Sequence, residues 1–356
     1  MNELLMTPGP TNVPKRVLAK MSENMFHHRT YQYSKLFEEF NKRLKYVFQT
    51  KNSVLTFPSS GTGGLESAII NPFSKGDKIL AVSIGDFGNR FINIAKIHGL
   101  KVDEVIIPWG QAATLEDIKN NLKPEHKALI ITHNETSTAT VNPIKEIGEF
   151  LKDKDLLYIV DAVSSLGGID IKMDEWNIDI LITASQKALM SPPGLAFIGV
   201  SDKTLKKCSE SDIPKYYFDY LLAKKYLDKD EPQNPYTPAI SLILAANESL
   251  KMIEEEGLEN VFLRHERLAN KFRNEIKAMN LKLYAQDHYY SNTVTAISFD
   301  KEGLASKIKE KLDKEYNIII AGGQGSTKGK LIRVGHMGYL NEKMIDKTLY
   351  AIQKSL

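Results

Sequence analysis

Cysteine is almost absent from this chain: Cys208 is the single thiol in 356 residues. No internal disulfide and no thiolate metal cluster can be built from it. Long apolar runs are missing too. The longest, 156–160 and 240–246 (the second broken only by Ser241), fall far short of the ~18 residues a bilayer span needs. Charge of one sign is scarce: 47 Lys+Arg against 44 Asp+Glu leaves +3, too weak a field to argue for nucleic acid or an anionic membrane as partner. The opening residues, Met1-Asn2-Glu3-Leu4-Leu5-Met6-Thr7-Pro8, carry no basic cluster and reach proline too early for a secretory leader. There is no internal repeat and no low-complexity tract. At 42% hydrophobic and 26% charged residues the composition is ordinary for a globular protein. The expectation is a soluble, cytoplasmic protein of two domains.

What is present is an alternation. Short apolar stretches at 54–57, 78–82, 102–107, 128–132, 157–160, 178–183 and 195–200 read as seven strands. Between them lie helical patterns at 65–71, 88–98, 115–122 and 144–151, after an early helix at 34–48. Near-continuous apolar strands separated by helices predict a mostly parallel seven-stranded α/β sheet covered on both faces. Past Pro235 the rhythm changes to two long helices (239–256 and 258–279), strands at 293–299, 318–321 and 330–334, and helices at 304–316 and 342–353. That order predicts a smaller α+β unit. The expected division is an extended proline-rich arm at 1–16, a large domain at 17–238 and a small domain at 239–356. The stretch 204–230, rich in Lys and Tyr, reads as a solvated surface excursion.

In an open α/β sheet, chemistry is expected where strands end. Four such places carry suggestive residues. Ser59-Ser60-Gly61-Thr62-Gly63-Gly64 follows a strand and precedes a helix, so its backbone N–H groups suit an anion. It is a poor dinucleotide fingerprint, because Glu66 stands at the third glycine position, and a plain tight turn explains it equally. Asp161 closes the strand at 157–160, although alone it is better read as a helix N-cap. Lys187, in Ser185-Gln186-Lys187-Ala188-Leu189, is a candidate amine nucleophile, although alone a surface lysine is the simpler reading. Arg333, inside a short apolar strand, suggests a fork for a carboxylate, with an internal salt bridge as an equal alternative. In combination, an anion cradle, a carboxylate for a ring nitrogen, an amine for an aldehyde and an arginine for an acid make the inventory of a pyridoxal-phosphate enzyme.

The order of motifs then becomes recognisable. Thr7-Pro8-Gly9-Pro10-Thr11-Asn12-Val13-Pro14, Ser60-Gly61-Thr62-Gly63, His133-Asn134-Glu135-Thr136-Ser137-Thr138, Val160-Asp161-Ala162-Val163-Ser164-Ser165, Ser185-Gln186-Lys187 and Arg333-Val334-Gly335-His336-Met337-Gly338 follow one another along nearly the whole chain. In these the chain resembles the class V aminotransferases of the alanine–glyoxylate / serine–pyruvate branch, which have the type I aminotransferase fold. The resemblance implies pyridoxal 5'-phosphate as cofactor, with Lys187 as the lysine that bonds to it and shuttles the proton. It further implies Asp161 on the ring nitrogen, Val163 under the ring, Phe87 stacked on its face and Thr136 near its phenolic oxygen. Thr62, Gly63, Gly64 and Gln186 would bind the phosphate. Thr237 would reach the phosphate of a neighbouring subunit in a homodimer, and Arg333 would clamp the substrate carboxylate. Ala139 stands where many relatives have glycine.

The implied reaction is ping-pong transamination from a small amino acid such as alanine or serine to a 2-oxo acid such as glyoxylate or pyruvate. An aspartate or 2-aminoethylphosphonate transaminase of the same fold is the alternative, and a nicotinamide-dependent dehydrogenase a distant one. A cysteine desulfurase fits less well, because Gln186 rather than His precedes Lys187 and Cys208 lies in a charged stretch.

Overall fold

The computed structural model describes residues 3–356, so the first two residues of the expected arm lie outside it. All seven apolar stretches pair into one sheet. Its order is Ser53–Pro58, Leu195–Val200, Ile180–Ala184, Leu157–Asp161, Ala128–Thr132, Lys78–Ser83, Lys101–Ile106. Every neighbouring pair is parallel except those of Leu195–Val200, which runs against both its neighbours. Apolarity explains the burial but carries no direction, so this one reversal had no signal in the sequence.

Because successive side chains point to opposite faces, each strand feeds two cores. Leu80, Val82, Leu129, Ile131, Tyr158, Val160 and Leu181 pack on one face with Phe37, Phe40 and Leu44 of the helix Tyr31–Phe48. Ile79, Ala81, Ile130, Ile159, Ile180 and Ile182 pack on the other with Leu65, Ile69 and Phe91. With both faces covered, polar function is left to the ends. Six strands deliver their C-terminal residues to the same end of the sheet, which brings Pro58, Ser83, Thr132, Asp161 and Ala184 and the loops after them together.

The second sheet is antiparallel throughout: Lys282–Leu283, Val294–Ser298, Leu331–Gly335, Ala321–Gly322. Helices Leu258–Ala278, Leu304–Tyr316 and Glu342–Gln353 close a core on Phe272, Ile308, Ile332 and Ile352.

Four expectations are corrected. The stretch at 318–321, read as one strand, splits at Ile320: Ile318–Ile319 pairs with Leu4–Leu5, and Ala321–Gly322 joins the four-stranded sheet. The arm, expected to be extended through residue 16, instead passes into a helix at Lys15–Lys20. The helix expected from Leu65 begins at Gly61, because Gly64 packs so tightly on the sheet that a Cβ there would lie 2.8 Å from Ile182 Cγ2. Tertiary fit overrides the poor helix propensity of its glycines. The stretch at 204–230 is no solvated excursion. Tyr220 is fully buried, its hydroxyl 2.8 Å from Ser67 Oγ, and Phe218 packs edge-on against Phe57.

Candidate active site

At the shared end of the large sheet lies a cavity of about 110 Å³ whose wall includes Thr62, Phe87, Thr136, Asp161, Val163, Gln186 and Lys187. The sequence reading had separated these residues by up to 125 positions (62 to 187). The strand order brings them together.

Asp161 is the last residue of its strand and is buried. No helix follows; the chain enters a turn in which Asp161 Oδ1 accepts the Val163 N–H at 2.9 Å and Oδ2 accepts from Thr132 Oγ1 at 3.3 Å. The helix-cap reading therefore fails. Burial pushes the carboxyl up to about 6; the Val163 N–H opposes that shift and the nearby Glu135 charge adds to it. With only two acceptor contacts satisfied, this carboxylate is open to a further cationic N–H partner.

Lys187 is no surface lysine: it is 9% exposed. Burial lowers its amine to about 8, with Asp161 opposing and the Arg333 and Arg90 charges contributing. The amine donates to the Pro8 carbonyl.

The anion cradle is the first turn of the helix Gly61–Ile70, whose N-cap Ser60 makes no side-chain capping bond. First-turn N–H groups have no intrahelical acceptor, so the turn is left to an outside anion. Gly63 sits against Ser59 Oγ. Gly64 is not in the cavity wall, and its N–H bonds Ser60 O at 3.2 Å. Arg90 Nη1 donates to Thr62 Oγ1 at 3.2 Å and its guanidinium lies 4.7 Å over the Phe87 ring. Two buried wall atoms, Gln186 Oε1 and Asn134 Oδ1, have no hydrogen-bond partner. Such orphans cost stability unless a ligand or water satisfies them.

Phe87 lies in the first turn of the helix Asp86–Ile97. Its N–H and that of Gly88 both donate to Glu135 Oε2 at 3.1 Å, while Ser137 N–H (3.0 Å) and hydroxyl (2.5 Å) donate to Oε1. Glu135 thus ties the aromatic wall to the hairpin that carries Thr136, whose Oγ1 donates to Ser164 Oγ at 2.8 Å. Arg333 lies beside the wall. Its Nη1 donates to Thr136 O at 3.1 Å and its Nε to Gly322 O at 2.8 Å, and burial lowers it to about 10. Both partners are carbonyls, so among the described residues the salt-bridge alternative is not realised and the guanidinium has no carboxylate in contact.

Thr237 is exposed and is not in the wall. It does not cap its own helix either, which starts at Ile240 after Ala239 without a side-chain cap. Ala139 adopts φ +61, the left-handed region that explains a preference for glycine there. Cys208 is buried, and burial pushes its thiol up to about 12, the opposite of a reactive cysteine.

Sequence reasoning missed Glu135, Arg90, Asn134 and Pro8–Gly9. Glu135 and Asn134 sit within the stretch read as a family motif, but nothing local marks a carboxylate whose donors lie some 50 residues upstream at Phe87 and Gly88. Arg90 shares one helix with Phe87 at i, i+3, the one signal that could have found it.

Residues 4–347 match the protein family described as Aminotransferase class-V. An uncharacterized aminotransferase of Methanocaldococcus jannaschii is 43% identical over 359 residues, covering 100% of this chain and 93% of that protein. The L-aspartate–glyoxylate aminotransferase of Paracoccus denitrificans is 37% identical, covering 96% of this chain and 87% of its own. An alanine–glyoxylate aminotransferase crystal structure from Nostoc sp. superposes with a TM-score of 0.95 at 30% identity, over 100% of this chain and 95% of that one.

Proposed function

The chain belongs to the class V aminotransferases, and from that premise we propose that it moves the amino group of alanine, serine or a similar small amino acid to a 2-oxo acid such as glyoxylate or pyruvate. It is a pyridoxal-phosphate-dependent enzyme, as its family is. The cavity fits that cofactor: a depressed amine, a buried carboxylate with acceptor capacity left, an anion-ready helix start and two orphaned polar atoms line one space.

In this reading Lys187 would hold the cofactor through its aldehyde, Asp161 would keep the proton at the ring nitrogen, and Phe87, Val163 and Thr136 would line the space around the ring. Thr62 and Gln186, both in the wall, would take the phosphate with Gly63 in the same first turn, while Gly64, outside the wall with its N–H on Ser60 O, seats that turn on the sheet. The cofactor supplies an electron sink conjugated to the substrate α-carbon. Arg333, unpaired by any carboxylate, binds the substrate α-carboxylate through its fork. The Lys187 amine, near 8, takes the α-proton and returns it, because a base near the working pH both accepts and releases it. Burial excludes water and keeps both charges effective.

The single observation that carries this reading is Lys187 and Asp161 in one cavity wall with Arg333 bonded to the same hairpin. A second reading, aspartate as donor, is favoured by Arg90, a guanidinium in that wall in addition to Arg333 beside it, and by the aspartate–glyoxylate relative. A panel of alanine, serine, aspartate, ureidoglycine and 2-aminoethylphosphonate against glyoxylate and pyruvate separates the readings. Borohydride reduction should leave a cofactor adduct on Lys187 by peptide mass; its absence would remove the assignment.

The exposed Thr237 supports a homodimer in which it completes the partner's phosphate site. Mixing Lys187→Ala with a Thr237 variant that binds cofactor poorly should restore activity through one intact site per heterodimer. A fully active monomer in sedimentation would exclude this.

A further inference from the structure

The N-terminal segment is pinned on both sides of Lys187. On one side Leu4–Leu5 pairs with Ile318–Ile319, Met6 N–H bonds Ile319 O at 2.8 Å, and Gly335 N–H bonds Met6 O at 2.7 Å. On the other, Thr11 N–H bonds Gln186 O at 3.2 Å and Thr11 Oγ1 donates to Lys187 O at 3.1 Å. Between these anchors the Pro8 carbonyl accepts from Lys187 Nζ, the one hydrogen bond that amine makes among the described residues. Gly9, at φ +110, lies against the same side chain: a Cβ there would fall 2.5 Å from Lys187 Cδ and 2.7 Å from Nζ.

We propose that Pro8–Gly9 is a positioning element for catalysis, whose carbonyl receives the Lys187 amine whenever that amine is not bonded to the cofactor and keeps it aimed for proton transfer. The inference rests on the reading of Lys187 as the reacting amine. A primary amine on a four-carbon stem has many rotamers to lose, and a misaimed base forfeits much of its rate. A backbone carbonyl suits the task because it accepts from the free amine and, more strongly, from the ammonium formed once the proton is taken, without carrying a charge of its own. A carboxylate in that place would pair with the ammonium and retain the proton. The two anchors fix the carbonyl in advance, so no reorganisation is needed at the moment of transfer. Gly9 is required because any side chain would occupy the amine's own place.

The test uses the protein stripped of cofactor and then reloaded. Acetic anhydride labelling of Lys187, read by peptide mass across pH, gives the midpoint of the amine. In Gly9→Ala this midpoint should fall by about half to one pH unit, since losing an acceptor disfavours the ammonium. After reloading, exchange of the α-hydrogen of the donor amino acid into D₂O should slow about ten-fold or more, with cofactor affinity within about two-fold of wild type. Deleting residues 1–9 removes the same carbonyl without adding a side chain and should shift the midpoint likewise, which keeps the test decisive if Gly9→Ala does not fold. Thr11→Val removes only the hydroxyl bonds to Gln186 O and Lys187 O and keeps the Thr11 N–H bond to Gln186 O, so the Pro8 carbonyl stays placed and the wild-type midpoint should hold. A folded Gly9→Ala with unchanged midpoint and exchange would overturn the proposal. So would Thr11→Val reproducing both losses, which would reduce the arm to a structural strap. Failure of the transaminase reading looks different: wild type itself would then exchange no α-hydrogen with any donor.

Discussion

The two ends of the seven-stranded sheet carry the same kinds of charged residue and treat them in opposite ways. At the end where the strands begin, Asp103 meets Lys123 at 2.9 Å, Lys78 at 3.1 Å and His126 Nε2 at 3.1 Å. The Lys123 and Lys78 ammoniums hold its carboxyl well below the usual range, and Asp103 in turn raises Lys78. At the end where the strands finish, burial raises Asp161 to about 6 and lowers Lys187 to about 8. Among the described residues neither is in a salt bridge. Solvated pairing fixes charges where they are, whereas burial without pairing brings an acid and a base towards neutral pH, where protons move.

The largest break in that comparison is Lys187→Ala. Removing the amine that both bonds the cofactor and carries the proton should cut turnover by about 10⁴-fold or more and abolish the borohydride adduct. Near-wild-type transamination by the pure variant would move the chemistry elsewhere. Asp161→Asn comes next. An amide fills the same space but cannot hold a ring proton electrostatically, so a loss of about 10²-fold or more is expected in kcat, with the fold intact by circular dichroism. A rate within a few-fold of wild type would reduce Asp161 to a turn residue. Arg333→Lys keeps the charge and loses the two-pronged geometry. KM for both the amino and the oxo acid should rise about ten-fold or more, with cofactor affinity little changed. Unchanged KM for both would place the carboxylate site on another group, with Arg90 first in line.

The buried end also predicts a pH dependence of stability. His133, His265 and His336 are fully buried, and burial lowers each to about 3. Their neutral forms are locked in place: Gly338 N–H donates to His265 Nε2 at 3.0 Å. A depressed histidine contributes stability that is complete above its unfolded value of about 6.5 and lost as pH falls towards the folded one. Asp161 acts the other way, its raised value adding stability as pH falls through about 6, and Glu135 is raised in the same sense. Three protons against up to two leaves net loss on acidification. The folding constant should therefore fall about ten-fold per pH unit between 6 and 5, measurable as urea midpoints. A flat profile would mean these rings take protons without unfolding.

How much of this was legible follows the same division. The inner strands were readable because burial on both faces makes them runs of apolar residues, such as Ala128–Thr132 and Leu195–Val200, while the edge strand Lys101–Ile106, with Val105 alone buried, shows only a partial pattern. The site was readable only where a residue type is unusual for its place: Asp161 after four apolar residues, Arg333 within a strand. Glu135 and Arg90 escaped because their meaning lies in partners distant in sequence. Gly9 escaped because a missing side chain signals only that something is close. The stretch 204–230 was misread because its lysines lie towards solvent while Tyr220, Cys208 and Ile213 face the core; with buried residues so widely spaced, the charged face dominates the composition.

The smallest expected effect is at the paired end. Asp103→Asn removes the centre of a cluster of two ammoniums, Lys78 and Lys123, and the His126 ring. Yet Asp103, Lys78 and Lys123 reach solvent, with only His126 buried, Lys78 keeps Glu125 at 3.2 Å, and the freed ammoniums can rehydrate. Exposed ion pairs contribute little once solvent screening is included. Transamination should stay within about two-fold of wild type, and melting should shift less than for any substitution at the buried end, with the remaining difference shrinking at high salt. A loss of activity beyond ten-fold would mean that the charge field at one end of the strands reaches the other. The contrast between buried and solvated charge would then no longer explain where this protein does its chemistry.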